Sequence, residues 1–202
     1  MSESTTVRTK NSLIRDIVTM GVFIALYLLV AILGGMVFGF IPFIMVILPL
    51  LSGLFGGLVF SVMLGRVQRP GAFIIATVIL GLMLISMAPG GTMFYCTILG
   101  GIAGEIIYSL LGRKSFKSMC IAYAALTLGG ALGQYIPFVW MKEAYLAQYA
   151  NSPTFEIARY GVDILNLPLM IVLCAVSCGT AVLGCLWGRA MTRKQFAKAG
   201  IV

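Results

Sequence analysis

Residues 8–36 read RTKNSLIRDIVTMGVFIALYLLVAILGGM, in which Arg8, Lys10 and Arg15 lead into a segment from Ile17 to Met36 that carries no charge. Roughly twenty such residues cross the hydrocarbon core of a bilayer as a helix. The run is too long for the apolar part of a cleaved leader and lacks an Ala-x-Ala site, so it is read as a retained span. The same alternation repeats down the chain. Twelve of the fourteen basic residues fall in four clusters: Arg8, Lys10 and Arg15; Arg66 and Arg69; Arg113, Lys114 and Lys117; and Arg189, Arg193, Lys194 and Lys198. Loops rich in Lys and Arg stay cytoplasmic. Keeping all four clusters on that side requires two crossings between each neighbouring pair.

The expected fold is an all-α integral membrane protein with six transmembrane helices, at about 13–36, 42–65, 71–88, 92–111, 118–139 and 167–189. Both termini are expected in the cytoplasm, with a long extracellular connection between helices 5 and 6. A single transmembrane domain then takes in residues 1–202. Composition agrees, because mean hydropathy is +1.05 and only 10% of residues are charged, against about a quarter in globular domains. The net charge of +8 flanks the spans instead of forming one patch. That distribution argues against nucleic acid as a partner and for the lipid bilayer.

Chemistry is narrowed by what is missing. The chain has no histidine, which removes a Ser/His pair, a His-Glu-x-x-His zinc motif and rhomboid-type proteolysis. It has no Gly-x-x-x-x-Gly-Lys-[Ser/Thr] loop for ATP. Cys96, Cys120, Cys174, Cys178 and Cys185 are odd in number and lie mostly in spans, so no disulfide framework is expected. Cys174 and Cys178 stand four apart on one helical face, yet without histidine they complete no common metal site and read as packing residues. No catalytic role, no metal and no cofactor are expected in this chain. Any energy must come from partners or an ion gradient.

Small residues recur every four positions: Gly53, Gly57, Ser61 and Gly65; Gly100 and Gly104; Ala125, Gly129 and Gly133; Gly184 and Gly188. Such stripes let helix backbones approach closely, and imply a compact bundle. In the first span Gly21 and Ala25 form a further pair, suited to internal packing or to a second membrane protein. Pro49 and Pro137 each remove a helical hydrogen bond, leaving the carbonyls of Met45 and Gly133 without their usual donors. Broken helices at membrane depth face protein or a cavity.

Polar side chains gather near the outer ends. Gln134 and Tyr135 flank the Pro137 break, Tyr95 lies near the start of span 4, and Asn166 opens span 6 ahead of Pro168. Together they would ring an outward-facing pocket between spans 4, 5 and 6. Trp140, Tyr145 and Tyr149 lie just outside, as an aromatic belt or a stacking surface for a ligand. The long connection, about Trp140 to Leu165, places Phe155, Ala158, Val162 and Leu165 at helical spacing behind Asn151-Ser152-Pro153, with Thr154 as the cap. This predicts a short amphipathic helix, either a lid or a helix resting at the interface. Glu105 is the one acid expected deep inside a span, about eight residues above Arg113. It reads as an intramembrane ion pair or a proton relay.

Two segments carry a resemblance: Gly100-Gly101-Ile102-Ala103-Gly104-Glu105-Ile106-Ile107, and Leu183-Gly184-Cys185-Leu186-Trp187-Gly188-Arg189 with Phe196-Ala197-Lys198-Ala199-Gly200-Ile201-Val202. On these the chain resembles substrate-binding S components of energy-coupling factor (ECF) transporters, the Trep_Strep family. The resemblance implies high-affinity capture of a vitamin or another micronutrient at the outer face. It implies docking on a membrane T component that carries two cytoplasmic ATPases, where ATP is bound. The class docks through an Ala-x-x-x-Ala face of span 1, here Gly21 and Ala25. Its ligand site lies among the outer ends of spans 4 to 6 and the outer loops. A pocket so rich in aromatic groups suits a planar or largely apolar small-molecule substrate, such as an organic vitamin or a metalloporphyrin. The alternatives are an autonomous proton-coupled secondary transporter, with Glu105 as its relay, and a non-transporting membrane scaffold.

Overall fold

A computed structural model describes residues 3–38 and 41–198, and the side chains of 13–34, 41 and 45–192. Of the basic clusters, the side chains of Arg8, Lys10, Arg193, Lys194 and Lys198 lie outside the described residues, as do the other side chains of the C-terminal segment from Phe196. Among the described residues every regular element is helical. The order is α1 (Glu3–Phe38), α2 (Pro42–Arg66), α3 (Ala72–Leu84), a 3-10 turn (Pro89–Gly91), α4 (Thr92–Leu110), α5 (Phe116–Trp140), α6 (Lys142–Tyr149), α7 (Phe155–Ile164) and α8 (Leu167–Lys198). Among the described residues five segments are long and apolar enough to cross a membrane: Leu13–Gly34, Met45–Arg66, Pro89–Leu110, Phe116–Trp140 and Leu167–Thr192. α3 is a shorter apolar helix of 13 residues.

Two local expectations are corrected. The third helix ends at Leu84, not near residue 88, because Ala88 precedes a proline and is extended at φ −141° and ψ 146°. The chain reverses through Gly90 and Gly91 at φ 63° and 67°, a left-handed backbone that glycine adopts without strain. The connection before α8 holds two helices, and α6 has no apolar periodicity to announce it. In α7 the expected face is seated, with Ala158, Val162 and the following Leu165 buried. Thr154 does not cap it; its hydroxyl shares a 2.7 Å hydrogen bond with that of Ser152.

The helices form a closed arrangement in which α2 packs on α8, α8 on α5, α5 on α4, α4 on α3, and α1 on α2. Two of these seams are backbone to backbone. A Cβ on Gly57 would stand 2.7 Å from the Ala181 carbonyl oxygen, and one on Gly188 2.7 Å from that of Leu58. Residue numbers rise together along this seam, so α2 and α8 run parallel. In the antiparallel α4–α5 seam, a Cβ on Gly100 would stand 2.9 Å from the Gly129 Cα, and one on Gly104 2.8 Å from the Ala122 oxygen. Small residues are required where backbones meet this closely.

Specific contacts draw described members or neighbours of the four basic clusters to one end. Arg69 donates to Asp16 at 2.8 Å, joining the first to the second. The Phe73 N–H donates to Glu105, whose other oxygen lies 3.7 Å from Arg113, joining the second to the third. Arg189 lies 4.4 Å over the Phe116 ring, joining the third to the fourth. The core above this end is organised by Phe60, whose centroid is 5.1 Å from Tyr27, 5.2 Å from Phe73 and 5.0 Å from Tyr123. One ring thus ties α1, α2, α3 and α5 together. A second cluster, from Val46 to Cys174, fills the far end under α6 and α7.

Gly184 sits on the Leu54 carbonyl, whereas Gly179 has open space where its Cβ would be. Gly184→Ala is expected to destabilise the bundle by about 1–3 kcal/mol through overpacking, and Gly179→Ala to leave it unchanged. Thermal unfolding of both variants in detergent measures the difference.

Candidate functional site

The far end holds most of the polar and aromatic residues singled out above, and the Pro49 break explains how two of them are used. With the proline unable to donate, the Met45 carbonyl accepts instead from the Gln134 side-chain amide at 2.6 Å. One residue on, the Tyr135 hydroxyl donates to the Val46 carbonyl at 2.7 Å. Both donors come from α5 and both acceptors from α2. Tyr135 is fully buried, and Gln134 half-buried. Both polar side chains of α5 therefore turn toward α2, Gln134 to the carbonyl that Pro49 frees and Tyr135 to the next one.

Tyr145 is buried in the same cluster, edge-on to Phe138 at 4.7 Å and beside Tyr149 at 4.9 Å. Tyr149 donates to the Met87 carbonyl at 2.9 Å, and Gln148 donates to that of Ser86 at 2.6 Å. These two bonds fasten α6 to the α3–α4 turn. Burial pushes the phenols of Tyr145 and Tyr149 up from the ordinary range, so both stay neutral hydrogen-bond donors. α7 continues the cover across α2 and α5. Asn166 is exposed, and its side-chain oxygen accepts from the Leu169 N–H at 2.9 Å, capping α8.

Tyr95 and Trp140 stand apart from this cluster, 61% and 59% exposed. Tyr95 lies edge-on to the neighbouring Phe94 ring at 5.2 Å. Gly21 and Ala25 are both exposed on α1, and nothing lies within 4 Å of a Cβ placed on Gly21. Neither is used to pack the bundle.

Glu105 lies at the basic end, with 10% of its side chain exposed. One oxygen takes the Phe73 N–H at 3.3 Å, an amide in the first turn of α3 that has no partner within its own helix. The other faces Arg113 at 3.7 Å, and Arg113 in turn donates to the Ser109 hydroxyl. The carboxylate thus holds the start of α3 to the end of α4, at the favourable pole of the helix dipole.

A family model described as a hypothetical bacterial integral membrane protein, Trep_Strep, matches residues 14–198. The chain belongs to the Trep_Strep family. It is a multi-pass integral membrane protein, and the matched range covers the five long apolar segments but for Leu13. No match is found among curated proteins or among solved structures.

Several residues of this Trep_Strep site give no signal in the sequence. Val46, Phe138 and Met170 look like any apolar residues of a span, and the Ser86 and Met87 carbonyls belong to the backbone. Pro49 was the usable clue, since the acceptor it frees had to find a donor. Removing the two bonds that fasten α6, by Gln148→Ala with Tyr149→Phe, is expected to weaken the cover by about 1–3 kcal/mol in total. Limited proteolysis should then cut between residues 141 and 166 several times faster, with the rest of the chain cut as before.

Proposed function

We propose that the protein is the solute-capturing S subunit of an ATP-driven ECF importer. It takes a planar or largely apolar micronutrient, a vitamin or a metalloporphyrin, at the outer face. The observation that carries this reading is the open face of α1. Among the five long apolar segments Leu13–Gly34 is the least buried, and its small residues Gly21 and Ala25 sit on the exposed side. In hydrocarbon a small-residue face is a seat for another helix, because close approach is what drives association there. The partner is a T component, which binds two ATPases. This chain is a non-catalytic binding subunit.

The orientation follows from the basic end. Gathering four Lys/Arg clusters at one end of the bundle favours placing that end in the cytoplasm. Both termini are then inside, and α6 and α7 cover the outer face. This needs six crossings. The 13 residues of α3 rise only about 20 Å, short of the roughly 30 Å core, so the remaining depth falls to residues 85–88 and the turn. With five crossings, Arg113, Lys114 and Lys117 would face outward, against the charge rule.

The ligand is expected under the α6–α7 cover. Opening it would present Tyr145 and Tyr149, with Gln134 and Tyr135 below and Trp140, Tyr95 and Asn166 at the rim. Gln134 and Tyr135 already hold α2 carbonyls, so a ligand bonding to them exchanges those bonds. Glu105 has its partners at the opposite end, which favours a structural part over a proton relay.

Purification of the tagged protein from its native membrane should bring down a T component and two ATPases, together with a retained small molecule detectable by mass spectrometry. Gly21→Trp should abolish that assembly and leave ligand retention intact; assembly unaffected by the bulky side chain would count against the α1 seat. For topology, single cysteines are introduced in a background lacking the five native ones. An impermeant maleimide should label Gln148→Cys on intact cells and spare Lys117→Cys. The reverse pattern would overturn the orientation.

A further inference from the structure

We propose that the basic end carries a seat for an anionic phospholipid, at the α5–α8 seam. Its centre is Arg189, whose guanidinium lies 4.4 Å over the Phe116 ring. A guanidinium held over a ring makes no hydrogen bond to it, and its fork of N–H donors matches a phosphate bidentately. The aromatic contact also holds the cation in place, so less side-chain freedom is lost on binding. Lys117, next in sequence to Phe116, is exposed and adds a second charge.

Among the described residues the acids of this end are already engaged, Asp16 by Arg69 and Glu105 by Arg113. No described ion pair includes Arg189 or Lys117. Among the described residues no carboxylate takes up their charge. One turn deeper on each helix the surface becomes apolar. Ile121 is 49% exposed and Leu186 47% exposed. On each helix a cation thus stands one turn above an exposed aliphatic side chain, Lys117 above Ile121 and Arg189 above Leu186, which is the order of a lipid, phosphate at the surface and acyl chain beneath. This match selects a membrane lipid over a free anion, which would use only the upper pair. The proposal rests on the membrane placement of the basic end and not on the importer reading.

The test is native mass spectrometry of the full chain released from nanodiscs containing equal phosphatidylglycerol and phosphatidylcholine. The wild type is expected to retain phosphatidylglycerol in preference, and Lys117→Gln and Arg189→Gln to weaken that preference about fivefold each. Arg189→Lys keeps the charge without the flat fork and should fall between. Equal retention of the two lipids by the wild type overturns the proposal. So does a preference that survives both neutralising changes together, or one that added inorganic phosphate removes, which would mark a site for free anions. Should Arg189→Gln fail to fold, Lys117→Gln at its exposed position decides the question alone.

Discussion

In hydrocarbon, burying a leucine against a neighbour gains little over leaving it in lipid, so the bundle rests on how closely its backbones can approach. That constraint is met at two seams. Gly53, Gly57, Gly184 and Gly188 bring α2 and α8 together in parallel, and Gly100, Gly104, Gly129 and Gly133 bring α4 and α5 together in opposition. α5 against α8 joins the two pairs. Everything else is placed by this frame: α3 on the α4 side, α1 on the α2 side, and the α6–α7 cover across the far end. Larger side chains enter where backbones part, as Phe60 does between four helices.

The two ends of the frame are built from different forces. At the basic end long-range charge is held by specific partners: a carboxylate at the start of α3, an ion pair between α1 and the α2–α3 loop, a guanidinium on a ring. At the far end hydrogen bonds to backbone carbonyls predominate. Pro49 leaves α2 short of a donor, and α5 supplies two. The last turn before Pro89 exposes carbonyls, and α6 supplies two more. A cover fastened by a few side-chain bonds opens more readily than one locked by backbone packing. Under the proposed importer reading this is the end that admits the solute, while the other holds its shape.

α1 stands outside this economy of close packing. It packs on α2, contributes Met20, Ile24 and Tyr27 to the core with Phe23 and Leu28 beside them, and leaves most of its other described side chains exposed. A helix with so little internal commitment keeps a surface for use elsewhere. Gly21 and Ala25 read in sequence like the other small pairs, with internal packing the simpler explanation. Only the placement of α1 at the edge shows that both are exposed among the described residues.

Membrane character, the helical class and the ends of most helices were legible from residue order, because hydrophobic length, charged flanks and proline act locally. The freed Met45 carbonyl was legible for the same reason. Which donor reached it was not, since Gln134 lies 89 residues away and its direction depends on how α5 is rotated against α2. Likewise Tyr95, Tyr135 and Tyr145 are equivalent by composition, yet one is open to the surroundings and two are sealed in the core. Local sequence determined what each segment is. The rotation and pairing of helices, set by glycine contacts distant along the chain, decided what each side chain meets.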